Sequence, residues 1–288
     1  MSLTTVKTVL GSSRPLSWVN TAFPFGAAYL LAGGGGDLAF WVGCLFFLVP
    51  YNLLMYGIND VFDYESDIRN PRKGGVEGAV LPKQMHAPLL WASVLTTVPF
   101  LVAMYAAGTV SSAVWLTVAM AAVIAYSAPR LRFKERPVLD SVTSSTHSVA
   151  PALVGATITA GEVSLYFWFG AVAFFLWGMA SHALGAVQDV KADREGELSS
   201  IATVLGARLT TRLSAAAYLV AAVLVFFIPP PAWVVGVAGL GYVANTLRFW
   251  NITDETCEDV NRAWRVFLWL NYLVGAIVTI CLVSVYLG

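Results

Sequence analysis

The chain has 288 residues, 58% of them hydrophobic and only 12% charged. Soluble domains carry about 25% charged residues, so the composition excludes a water-soluble globule and points to an all-α protein that crosses the bilayer many times. Lysine plus arginine and aspartate plus glutamate balance at 17 each, so bulk charge gives no attraction to nucleic acid.

A span needs about 20 mainly apolar residues. Nine such segments follow one another: 15–32, 38–58, 87–107, 112–127, 139–159, 164–187, 209–228, 232–249 and 263–287. The run before the first, MSLTTVKTVLGSSRP, lacks a signal peptide's charged start and cleavage site and reads as a short segment lying on the membrane. With nine spans, all 17 lysines and arginines fall on the side of the N-terminus, and the opposite loops hold only Asp37 and Glu162. The positive-inside rule then places a multi-pass protein in the cell membrane, N-terminus cytoplasmic and C-terminus outside. No stretch is left over for a soluble domain, so residues 1–288 read as one unit. The three cysteines (Cys44, Cys257, Cys281) are isolated, which argues against a disulfide framework and a zinc site.

The second span runs into a polar loop, PYNLLMYGINDVFDYESDIRNPRKGGVEGAVLPK. If its helix continues, Asn52, Tyr56, Asp60, Asp63 and Asp67 share one face, with Asn59 beside them. Carboxylates stacked at the end of an apolar helix are tolerable only with a cation among them. An oxygen-only donor set suits Mg²⁺ completed by substrate phosphates. Arg69, Arg72 and Lys73 follow, and Gly74, Gly75 and Gly78 would let the loop fold closely over phosphate.

The polar fifth span carries Asp140, expected to pair with a cation of its preceding loop, and His147. His182 lies in the sixth; for both histidines an interhelical hydrogen bond is the leading reading and proton transfer the alternative. That sixth span ends in a second acidic cluster, QDVKADREGE, where Asp189, Asp193 and Glu197 are spaced by four. Both clusters lie on the cytoplasmic side. Two acidic helix ends in an apolar host suggest one polar cavity holding a polyanion through divalent metal, best an isoprenoid diphosphate. Arg130, Arg132, Lys134, Lys191 and Arg194 are further candidate cations, and Tyr56 and Tyr126 candidate walls for an allylic cation. Asn20 and Asn52 are amides inside spans, suited equally to substrate contact and to helix packing.

These motifs resemble the UbiA family of intramembrane prenyltransferases over essentially the whole chain. Asn59-Asp60-x-x-Asp63-x-x-x-Asp67 matches its first motif and Asp189-x-x-x-Asp193 its second. Arg72 sits where the family keeps a diphosphate-binding arginine, and Tyr126-Ser127-x-Pro129 with Lys134 resembles its Tyr-Ser/Pro-x-Pro element. The resemblance implies nine helices around a central cavity under a polar cytoplasmic cap. It also implies two Mg²⁺ ions and prenyl transfer to a lipophilic acceptor. The runs SWVNTAFPFG and LRFWNITDETCEDVNRAWRVFLW look most like lycopene elongases, which add five-carbon units to a linear carotenoid. The reading is therefore an Mg²⁺-dependent transfer from dimethylallyl diphosphate to lycopene within carotenoid biosynthesis, with Asp60, Asp63, Asp189 and Asp193 as catalytic residues and these four with Asn59 and Asp67 as metal residues. Asn20, Asn52, Tyr56, Arg72, Lys73, Tyr126, Lys134 and Lys191 stand on substrate. Membrane lipid and a carotenoid-modifying enzyme are the expected partners. The alternatives are an aromatic or quinone-precursor acceptor, a longer prenyl donor, or an ion-coupled transporter. Transporter sites favour the bilayer midplane, whereas these acids cluster at one face.

Overall fold

The computed structural model describes residues 3–68 and 80–288, without the side chains of residues 3, 4, 66 and 67. Among them the chain is all helical. It forms two compact units, residues 1–132 with 147–162 and residues 133–146 with 163–288.

The first unit begins with α1 (Leu3–Ser12), whose Val9 packs with Leu53, Leu81 and Leu89. A turn follows, held by Trp18 Nε1, which donates to Ser13 O at 3.1 Å. It leads through a 3₁₀ turn started by Pro15 into α2 (Val19–Leu31). Asp37 caps α3 (Leu38–Leu48), accepting from Phe40 N at 3.0 Å and from the Tyr29 hydroxyl at 2.8 Å. These bonds, the one from Phe40 N first, hold its carboxyl below the usual carboxylate range.

Proline has no N–H to continue a helix, so the segment breaks at Val49 and restarts as α4 (Pro50–Phe62). After α5 (Tyr64–Asp67) come α6 (His86–Ala107) and α7 (Val110–Ser127). α8 (Leu139–Ile158) gives its first turns to the second unit and the rest to the first. The core of the first unit is aromatic: Phe25, Phe46, Phe47 and Tyr51 are fully buried with Leu116 and Val154. Gly155 lets α8 reach the backbone of Phe25 on α2, where a Cβ would collide with the Phe25 carbonyl.

The second unit holds α9 (Leu165–Val187), α10 (Val190–Glu195), α11 (Ile201–Val225), α12 (Trp233–Leu247) and α13 (Asn261–Leu287). α9 and α12 pack on α11, and Tyr218 and Tyr242 stack at 5.3 Å in its core. Both rings keep a hydroxyl partner, Ser181 and Asn271. α11 starts eight residues before the predicted position of 209, because Gly206 (φ 78°) takes a kink that an L side chain would resist.

Outward faces are apolar: Trp91, Leu95, Trp269 (76% exposed) and Tyr272 all face away from the core. Soluble proteins rarely expose such continuous patches. Among the described residues six helical segments are long and apolar enough to cross a membrane: Leu38–Phe62, Lys83–Ala107, Val110–Ser127, Leu165–Val187, Ile201–Val225 and Asp254–Leu287. The other predicted spans coincide with α2 (13 residues), α8 (20 residues, rich in Ser and Thr) and α12 (15 residues). These miss that standard on length or on apolar content. The expected nine crossings are therefore not reproduced by length and composition alone.

The approach at Gly155 generates a test. Gly155→Ala overpacks α8 against α2 and should cost about 1–3 kcal/mol, read as a lower thermal unfolding temperature of the detergent-purified protein.

Candidate active site

The first acidic motif lies at the end of α4. Asp63 N donates to Asn59 O at 2.9 Å, so Asn59, Asp60 and Asp63 sit within one closing turn. The predicted continuous face stops there, because the helix ends at Asp63 (φ −99°, ψ 0°) before α5 begins. The backbone of Asp67 closes α5, and its side chain lies outside the described residues. Arg69, Arg72, Lys73 and the three loop glycines also lie outside them.

Asp60 and Asp63 are only 2% and 3% exposed. Arg14 Nη2 stands 3.0 Å from Asp60 Oδ1, and its guanidinium lies 4.2 Å from the centre of the Tyr56 ring. Arg132 Nη1 stands 3.5 Å from Asp63 Oδ1. Two buried anions a turn apart thus each have a chain cation, which offsets their desolvation. Both arginines have left-handed backbone, φ 49° and 40°. Such strain persists where the surroundings over-determine the conformation, often at functional sites. Ser127 Oγ donates to Asn59 Oδ1 at 2.8 Å, joining α7 to the motif. The next residue back, Tyr126, meets the His147 ring edge-on at 5.2 Å.

The two span amides separate. Asn20 is exposed on α2. Asn52 is fully buried, and its amide nitrogen donates to Thr21 Oγ1 and Phe47 O, both at 2.8 Å, with Leu48 O at 3.1 Å. It thereby ties α4 to the carbonyls at the Pro50 break. Its amide nitrogen thus serves helix packing, while Asn52 Oδ1 is buried without a hydrogen-bond partner.

In the second unit the second motif forms the turn from α9 into α10. Asp193 N donates to Asp189 O at 2.8 Å, keeping these two half-buried aspartates one turn apart. Glu197 leaves the predicted face: α10 ends at Glu195, and Glu197 is exposed with φ 56°. Lys191 is exposed on α10, and Lys134 is half-buried in the 3₁₀ turn Phe133–Glu135.

Arg194 anchors α10. Its Nη2 donates to Thr203 O at 2.8 Å and its Nη1 to Asp254 Oδ2 at 2.7 Å. Asp254 Oδ1 accepts from Ala207 N at 2.7 Å, the amide freed by the Gly206 kink. His182 Nδ1 lies 3.2 Å from Ser141 Oγ, the interhelical bond expected of it. Asp140 corrects its expectation of a cation partner: fully buried, it accepts from Ser141 N at 2.7 Å and from Ile201 N at 2.8 Å, capping α11.

Among the described residues, no three His, Cys, Asp or Glu side chains close into a metal-holding group. The donor chemistry nonetheless fits a hard cation. Asp60 and Asp63 are buried oxygen donors, already facing positive charge, with Asn59 beside them.

Arg14 and Asp254 escaped the sequence reading as site and anchor residues. The signal for Arg14 was an arginine directly ahead of the first span. For Asp254 it was a Thr-Asp pair opening a short helix, whose capping box the structure forms at Thr253 and Thr256.

Asp254→Ala should leave Ala207 N–H and Arg194 without their acceptor and loosen α10 from α11. The expected cost is about 1–2 kcal/mol, with faster amide hydrogen exchange over 190–207 than in the parent protein. Asn52→Ala should lower the unfolding temperature by loss of about 1–3 kcal/mol while leaving KM for the donor within about twofold, as a packing residue does.

The UbiA prenyltransferase family matches residues 21–272. The lycopene elongase/hydratase of Corynebacterium glutamicum is 64% identical over 281 residues, 98% of each chain. The C(50) beta-cyclic carotenoids biosynthesis protein LbtBC of a Dietzia species is 55% identical over 94% of this chain and 63% of its own. In fold, a UbiA homolog from Archaeoglobus fulgidus solved bound to DMAPP and Mg²⁺ superposes with a TM-score of 0.64 at 17% identity, covering 93% of this chain and 98% of that one. With its helical fold, apolar surfaces and paired acidic motifs, this integral membrane chain is a prenyltransferase and belongs to the UbiA family.

Proposed function

We propose that the protein transfers dimethylallyl groups from dimethylallyl diphosphate to the ends of lycopene, with Mg²⁺ at the acidic motifs. The buried Asp60–Asp63 pair under two guanidiniums carries this reading. Support comes also from the identity to lycopene elongase/hydratases and from the donor-bound fold relative.

Asn59, Asp60, Asp63 and Asp67 of the first motif and Asp189 and Asp193 of the second would hold two metal ions. Bound there, Mg²⁺ supplies Lewis-acid neutralisation of the diphosphate as it leaves. Arg14 and Arg132 would add hydrogen bonds to the diphosphate oxygens, with Arg72, Lys73, Lys134 and Lys191 as further cations. The allylic C–O bond breaks with both electrons passing to pyrophosphate. Tyr56 and Tyr126 present aromatic faces that stabilise the allylic cation and exclude water. The terminal alkene of lycopene attacks that cation to form the new C–C bond. The resulting tertiary cation then loses a proton, or adds water and loses a proton from it. Nine crossings with both motifs on the cytoplasmic side complete this reading.

Expression in a lycopene-producing host followed by mass analysis of the pigments is the direct test. Products heavier by one and two five-carbon units are expected, and both should vanish in Asp60→Ala and Asp189→Ala proteins that still insert in the membrane. Unaltered lycopene beside a well-inserted parent protein would move the acceptor to a ring compound. Arg14→Gln should lower kcat/KM for the donor by about 10–100-fold. Chelation of divalent metal should stop pyrophosphate release, and added Mg²⁺ should restore it.

A further inference from the structure

The second unit has an open cavity of about 420 Å³ where α11 passes the segment 253–255. Arg208 and Arg212 form one wall with Leu205 and Leu209. Four residues apart on α11, the two arginines share a face. Each is tethered by its Nε edge: Arg208 to Ile252 O at 3.4 Å and Arg212 to Trp250 O at 3.2 Å. The Arg212 guanidinium also lies 4.7 Å from the centre of the Trp250 ring.

Neither arginine forms an ion pair with a carboxylate among the described residues. Of the acids on the cavity wall, Asp254 is engaged by Arg194 and Ala207 N, and Glu255 hydrogen-bonds Thr253. Two oriented guanidiniums are therefore left without a carboxylate in ion-pair contact near the start of a long apolar helix, Arg212 Nη2 reaching only the neutral Asn251 Oδ1 at 3.5 Å. Beside them Leu205, Leu209 and Leu213 form an exposed stripe, the last two 47% exposed, with Trp250 exposed nearby. Fixed guanidiniums beside an apolar strip match a molecule with an anionic phosphate head and hydrocarbon tails. Tryptophan at that level suits the membrane interface. A free phosphate would use the guanidiniums and leave the stripe bare, so the occupant is a lipid.

We propose that Arg208 and Arg212 bind the phosphate of an anionic phospholipid whose acyl chains lie along Leu209 and Leu213. This site is separate from the prenyl-transfer residues and does not depend on the identity of the acceptor.

The test measures binding of phosphatidylglycerol, phosphatidylcholine and inorganic phosphate to the delipidated full chain in detergent, with the unfolding temperature as readout. Phosphatidylglycerol should stabilise the parent protein saturably, and the Arg208→Gln/Arg212→Gln double variant should bind it about 30-fold more weakly. Pyrophosphate release by the double variant should persist, which shows that it is folded. If the double variant does not fold, each single variant should lose about fivefold. Equal phosphatidylglycerol affinity in parent and variants would overturn the proposal. So would phosphatidylcholine binding as tightly as phosphatidylglycerol, or inorganic phosphate alone giving the full stabilisation.

Discussion

Two carboxylates buried within one turn at the end of an apolar helix repel each other and lose their hydration. Leaving one such charge without its partner costs about 3–5 kcal/mol. The first unit is arranged around that constraint. Arg14 comes from the turn before α2 and Arg132 from the segment after α7, both through left-handed backbone. Packing of Val9 on α1 against Leu53 of α4 and the Trp18–Ser13 bond fix where Arg14 emerges. The segment before α2 thus reaches Asp60, and the Tyr56 ring lies beside the same guanidinium, 4.2 Å from its centre.

The second motif is stabilised by different means. Its aspartates are only half-buried, so their helix end is fixed by neighbours. The Gly206 kink frees the Ala207 amide; Asp254 takes it up, and Arg194 links that carboxylate back to α10 and to Thr203. A kinked glycine, an acid far along the chain and an arginine inside the motif act as one clamp. Asp140 similarly secures the start of α11 through Ile201 N. The short helix α10 is thereby held by hydrogen bonds to backbone groups of α11 and by the Arg194–Asp254 pair, all of which are directional.

The helical class and both acidic motifs were legible in the sequence because they rest on composition and on steps of three and four residues. The misreadings have local causes. Extending one face from Asn52 to Asp67 assumed a helix that ends at Asp63, and placing Glu197 with Asp193 assumed that α10 continues past Glu195. Periodicity cannot report where a helix stops. Spacing pairs Asp140 with a neighbouring cation, whereas its bond to the backbone amide of Ile201 spans 61 positions and leaves no pattern in the sequence. Arg14 was invisible as a site residue because its contact with Asp60 spans 46 positions and depends on how α1 packs. No spacing rule covers such a distance.

The polar side chains inside the helices of the first unit hold a broken helix together. Thr21 Oγ1 donates to Phe47 O, Ser93 Oγ to Leu53 O and Thr97 Oγ1 to Pro50 O, while the Asn52 amide nitrogen serves the Pro50 break. Each of these groups satisfies a carbonyl near the kinked α3–α4 segment, where a proline-broken helix in lipid needs side-chain donors. The break therefore costs few unpaired carbonyls, and α4 can carry Asp60 and Asp63 at its end on a backbone fixed from α2 and α6.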